Sequence, residues 1–182
     1  MFWGVAYAVL AAALVVRVRH PDEPPPEPRQ PAADEPLLLT TAHHRLLLAV
    51  LVAAPVETIL LGGAARGRVL GALAFAGGVA LYRAGGRALG EALSPFTQPR
   101  PGAPLVTQGP YRYLRHPMYL GQMLVAVGAP LVLGARWTLT LALADVLLLG
   151  CRMLRDEEAL ARTFPEYSRY AARTKRILPY VY

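Results

Sequence analysis

Apolar residues in this chain fall into blocks, near 2–16, 46–65, 69–82, 117–133 and 137–151, separated by polar and glycine- or proline-rich connections. Helices at the surface of a soluble core would carry a polar face through such blocks, and these mostly do not. The pattern predicts an all-α integral membrane protein with about five transmembrane helices, forming a single membrane domain over residues 1–182. The first block is short for a span of about 20 residues. Nothing charged precedes it, and Arg17 and Arg19 follow it, which fits a signal anchor with an outside N-terminus better than a cleaved signal.

The connections carry their own signals. Proline density over 21–36 predicts an extended, solvated linker, better read as a spacer than as a docking segment. Thr40 or Thr41 can cap the helix of the second block, and Gly62 and Gly63 can end it. Pro55 should kink that helix. Glu57 lies inside it, either as a functional carboxylate or as a protonated one hydrogen-bonded to a neighbouring helix. In the third block Gly71, Gly77 and Gly78 permit close approach of another backbone. Gly85, Gly86 and Gly90 then lead into a polar connection reaching Arg115. Two adjacent glycines without the spacing or the preceding strand do not make a phosphate loop. After Trp137 the last apolar helix runs on past Cys151 into an amphipathic segment, which Pro165 breaks.

Composition refines this plan. The chain is 54% hydrophobic with a net charge of +7 and a mean hydropathy of +0.33. Sixteen of the 19 Lys and Arg fall within 17–45, 83–115 and 152–176, alternate connections in a five-span plan. That bias places the C-terminus in the cytoplasm and reads the charge as topology and lipid contact, not nucleic-acid binding. The lone Cys151 excludes a disulfide framework and a Cys-rich metal site. His43 and His44 are adjacent, point in different directions from a helix and make a poor metal pair. No metal is expected.

Two stretches hold candidate chemistry. In 109–121, GPYRYLRHPMYLG, Pro117 suits a first helical turn, which puts His116 at a helix start whose free N–H groups favour an anion. Tyr119 and Gln122 follow His116 at spacings of three and share its face. Composition alone favours an interfacial belt of Tyr and Arg here. In the second stretch Asp145, Arg152 and Asp156 lie seven and then four residues apart, on one face of a continuous helix. Glu157 sits about 100° round from Asp156, while Arg155 and Glu158 read as a solvated face. Asp145 is too deep for that reading.

LVTQGPYRYLRHPMYLG, followed after one more span by RDEEALARTFPEYSRY and RILPYVY, resembles the isoprenylcysteine carboxyl methyltransferase family, which belongs with the membrane phospholipid methyltransferases. The resemblance covers roughly 104–182 and implies methyl transfer from S-adenosyl-L-methionine in a membrane-embedded fold. It implies that Leu105, Val106, Tyr111, His116, Pro117, Met118 and Tyr119 line the cofactor pocket, that Asp156 and Glu157 are the family's paired acids, and that Arg152 is the substrate-side arginine. Asp156 stands where the family usually has Glu, so Glu157 and Glu158 are the alternative pair. The family's Phe-Gly-x-Glu-Tyr is here Phe164-Pro165-Glu166-Tyr167.

The resulting expectation is a prokaryotic cell-membrane methyltransferase with a cytoplasmic cofactor site. Its acceptor would be lipophilic or membrane-partitioned; the resemblance implies a carboxylate, which needs a guide such as Arg152 but no general base, whereas an amine or thiol would need one. The alternatives are an NADPH-dependent membrane reductase of the related superfamily, or a non-enzymatic membrane scaffold. Partners are the bilayer and a lipid-like substrate, with no nucleic acid; the oligomeric state is open.

Overall fold

The computed structural model describes residues 37–94 and 99–177, together with Gly4, Val5, Tyr7 and Ala8; of 37–40 only the backbone is described. The 21–36 linker and most of the 2–16 block lie outside the described residues. Within them the fold is helical: α1 (Leu37–Leu61), α2 (Arg68–Leu89), α3 (Pro117–Leu133), α4 (Thr138–Thr163) and α5 (Tyr167–Arg173), with 3-10 turns at Gly90–Ala92 and Gly109–Arg112. Two helical stretches, Thr41–Leu61 and Arg68–Ala92, are long and apolar enough to cross a membrane, and Pro117–Leu133 is apolar but shorter. Large apolar side chains cover the outside: Ile59 is 81% exposed, Leu70 71% and Leu147 72%. That exterior suits lipid far better than water.

α1 is already helical at Leu37, so neither Thr40 nor Thr41 caps it. The sequence from Leu37 to Ala54 contains neither Gly nor Pro to interrupt a helix, and this outweighs the preference of threonine for a cap. Pro55 is held inside the helix, which continues to Leu61. Gly62 then turns the chain at φ 75, its N–H bonded to the Thr58 carbonyl at 3.1 Å.

α2 is longer than its apolar block. It runs through Gly85 and Gly86 to Leu89, correcting the expectation of a loop there. The reason is packing. Gly71, Gly78 and Gly85 recur every seven residues and face Gly121 and Gly128 of α3, also seven apart, so both sets form stripes along the contact. A Cβ on Gly78 would stand 2.6 Å from the Gly121 carbonyl oxygen. One on Gly128 would stand 2.6 Å from the Phe75 nitrogen, and one on Gly85 the same distance from Met118 Cγ. The helices meet backbone to backbone, in the most extensive helix contact of the described fold. Gly77, expected to share this role, faces open space instead.

α4 is one continuous helix of 26 residues, apolar at its start and charged after Cys151. Glu57 of α1 caps it from outside: its carboxylate accepts from the Trp137 and Thr138 N–H groups at 2.9 and 2.7 Å and from the Thr138 hydroxyl at 2.8 Å. Of the two readings open for Glu57, hydrogen bonding to a neighbouring helix holds but protonation does not: Glu57 only accepts, as a carboxylate, from amides that a helix start leaves without partners. Asp145 and His43, both fully buried, meet at 2.9 Å and tie α4 to α1 a second time. His44, pointing away, is exposed. Tyr7 closes over the same core, its hydroxyl on the Leu51 carbonyl at 2.5 Å and its ring 5.6 Å from Phe75.

The seam makes a sharp prediction. Gly78→Ala should destabilise the protein by about 1–3 kcal/mol through forced separation of α2 and α3. Gly77→Ala, one residue away on the open face, should leave stability unchanged or raise it by up to about 1 kcal/mol. Thermal unfolding of both variants in detergent checks this; equal behaviour would show that the seam does not limit packing.

Candidate functional site

The start of α3 is fixed from three sides. Pro117 opens the helix, and His116 precedes it at φ −127 and ψ 55. Before it, the 3-10 turn buries Tyr111, whose carbonyl accepts from the Tyr170 hydroxyl at 2.8 Å. Leu114 forms a short parallel bridge with Lys175. Arg115 N–H donates to the Lys175 carbonyl (2.7 Å), His116 N–H to the Arg176 carbonyl (3.1 Å), and Lys175 N–H to the Tyr113 carbonyl (3.1 Å). The chain after α5 is thereby clipped onto the residues that begin α3.

The charged half of α4 faces this junction. The Glu157 carboxylate accepts from Arg115 Nε at 2.9 Å, from His116 Nε2 at 3.1 Å and from an Arg176 guanidinium nitrogen at 2.6 Å. Arg115 also reaches the Ala171 and Thr174 carbonyls at 2.7 and 2.8 Å, binding α5 into the same network. Beside it, Tyr119 donates its hydroxyl to Asp156, the residue before Glu157, and the Arg152 guanidinium, one turn nearer the apolar half of α4, lies 6.0 Å from the centre of the Tyr119 ring. The rings of His116 and Tyr119 meet edge to face at 5.5 Å.

Electrostatics follow from these partners. Burial raises the Glu157 pKa, but the hydrogen bonds from His116, Arg176 and Arg115 outweigh it and hold the carboxyl well below the usual range. Burial lowers the pKa of His116, which the Glu157 carboxylate opposes without overcoming. His116 is therefore neutral near pH 7. With an ionised Glu157 able only to accept, Nε2 carries the proton and Nδ1 is left as an acceptor.

His116, Tyr119, Arg152, Asp156 and Glu157 thus come together at the start of α3 and the charged half of α4. The other named residues surround them unevenly. Pro117 is fully buried, and Met118 lies against Gly85, so both shape the α2–α3 contact. The Tyr111 hydroxyl also faces Gly85. Leu105 and Val106 are half-buried, and Leu105 lines a separate cavity with Arg112 and Tyr170. Asp145 stands apart on the same α4 face, engaged with His43. Sequence reasoning missed Arg115 and Arg176, taking the first for a topology charge and the second for part of a charged tail. The available signal was the run Asp156-Glu157-Glu158 beside a nearly buried helix start, which needs counter-charge. Among the described residues no three His, Cys, Asp or Glu side chains come close enough to hold a metal ion.

A family model described as phospholipid methyltransferase matches residues 67–166, more than half of the chain. The chain is 39% identical over 80 residues to the cobalt-zinc-cadmium resistance protein CzcN of Cupriavidus metallidurans, a match covering 41% of this chain and 35% of that protein. It is 36% identical over 86 residues to the nickel-cobalt-cadmium resistance protein NccN of Alcaligenes xylosoxydans xylosoxydans, covering 44% and 38% respectively. The match therefore spans little more than a third of either relative.

Two titrations at this junction contribute to the acid response. His116 has a depressed folded pKa, so its contribution is intact above its unfolded value of about 6.5 and is lost as pH falls from there toward the folded value. Glu157, also depressed, contributes fully above its unfolded value of about 4.3 and loses that contribution only on further acidification. Melting temperature against pH should therefore fall in two stages. His116→Gln should remove the first, and Glu157→Gln the second; a wild-type profile flat between neutral pH and pH 5 would contradict the assignment of His116.

Proposed function

Because the chain belongs to the phospholipid methyltransferase family, we propose that it is an S-adenosyl-L-methionine-dependent methyltransferase embedded in the membrane, acting on a lipophilic acceptor. The observation that carries this reading is the convergence of His116 and Tyr119 from α3 with Arg152, Asp156 and Glu157 from α4. The residues fit the cofactor. Asp156 and the Nδ1 of neutral His116 are acceptors for an ammonium group and ribose hydroxyls, Glu157 keeps about one of its four lone-pair sites for the same groups, and Tyr119 offers an aromatic wall. Pro117 and Met118 support His116 and Tyr119 from the same helix start, where Met118 is seated on Gly85. When bound, the cofactor supplies a methyl group on a cationic sulfur.

The protein's task is then alignment. Arg152, only 7% exposed, lies one turn of α4 before Asp156, on the side leading into the apolar half of the helix. It is placed to hold the reacting carboxylate of an acceptor that enters from the bilayer, and a carboxylate needs no base. The bias of arginines along the chain supports a cytoplasmic position for this site and the C-terminus. The names of CzcN and NccN raise a metal-binding role as a second reading; the described residues favour it less, since they assemble no three-ligand group.

S-adenosylhomocysteine should raise the melting temperature of the detergent-purified protein, and NADPH should not. Asp156→Asn should weaken that binding by about 1.5–3 kcal/mol, the worth of a charged hydrogen bond. Arg152→Gln should retain it while slowing methyl transfer from labelled S-adenosylmethionine. Stabilisation by NADPH alone would favour the reductase alternative, and stabilisation by neither would sink both.

A further inference from the structure

An open surface cavity of about 300 Å³, outside the His116–Arg152 cluster, is lined by Leu105, Thr107, Tyr170 and the exposed Arg112, Arg169 and Arg173. Three of these are arginines from two separate elements. Arg169 and Arg173 are four residues apart on α5 and share a face, a like-charge spacing that disfavours the helix unless an anion offsets it. Arg112 comes from the 3-10 turn, where its guanidinium lies 5.0 Å from the centre of the Tyr113 ring. Among the described residues none of the three forms an ion pair, and Glu166 is the only acid in the lining.

The hydroxyls narrow the chemistry. Tyr170 already donates to the Tyr111 carbonyl and Thr174 to the Tyr170 carbonyl, so recognition falls to the guanidiniums, with Thr107 beside them. Three arginines lining one open cavity suit a tetrahedral oxyanion, whose oxygens accept forked N–H groups. The proposed methyl donor is a poor match, since its sulfonium and ammonium outnumber its single carboxylate. The elements that supply the arginines border the start of apolar α3, where headgroup phosphates lie if that helix enters the bilayer.

We propose that this cavity is a phosphate-binding site, independent of the methyl-transfer reading, with an anionic lipid headgroup as its source. The full chain in dodecyl maltoside micelles, doped with phosphatidylglycerol or with diacylglycerol, isolates the headgroup as the one difference. Hydrogen exchange of amides 105–112 and 166–174 should slow by about an order of magnitude with phosphatidylglycerol only. The double variant Arg169→Gln/Arg173→Gln, and separately Arg112→Gln from the opposite wall, should lose that slowing while α2–α3 amides exchange as in the wild type. A parallel arm compares inorganic phosphate with sodium chloride at equal ionic strength. Slowing by inorganic phosphate as well keeps the site but makes its source soluble. No slowing by either phosphate compound, or unaltered slowing in the arginine variants, overturns the proposal.

Discussion

The close approach of α2 and α3 is the constraint on which the rest of this structure depends. Lipid offers little hydrophobic incentive for helices to associate, so contact must come from tight packing, which small residues allow. Gly71, Gly78 and Gly85 against Gly121 and Gly128 supply it along the full contact. The seam ends at Met118 seated on Gly85, two residues from His116. The position of the site's histidine is therefore set by backbone contact between helices, with little freedom for the side chains between them to adjust it.

A second constraint closes the site from the other direction. The residues after α5 would have no reason to lie on α3 without the Leu114–Lys175 bridge and the paired donation of Arg115 and Arg176 to Glu157. A carboxylate this enclosed is costly unless its lone pairs are met, and three protein donors occupy most of them. Removing any one would leave charge imbalance in a confined space. The Glu157 network is thus a structural junction as well as a candidate binding wall, which explains why its acid sits so far below the ordinary carboxylate range.

Much of this was legible in the residue pattern. The bounds of α3 follow from Pro117 and Gly134, and the seven-plus-four spacing put Asp145, Arg152 and Asp156 on one face before any contact was known. Other features were hidden because they depend on partners distant in sequence. Gly85 and Gly86 look like a loop until α3 lies against them. Glu57 stays open between a functional and a hydrogen-bonded carboxyl until the start of α4, 80 residues away, turns out to need a cap. Arg176 looks like tail charge until the bridge brings it to Glu157. Local periodicity specifies the helices and their faces, but which polar groups meet is decided by packing that no single segment encodes.

The polar residues of α4 acquire different meanings with depth. Asp145, fully buried, is matched by one histidine of α1, and this pair together with the Glu57 cap fixes α1 against α4 at two levels. Two turns later Arg152 is nearly buried but meets an aromatic face, and one turn beyond that Asp156 and Glu157 face the junction with α3. A rigid helix held firmly at its apolar end can present a charged end with little positional error. The deep charges therefore support the shallow ones: tying α4 to α1 lets Arg152 and Asp156 keep their distance from His116, and that fixed distance is what alignment of a methyl donor and an acceptor would require.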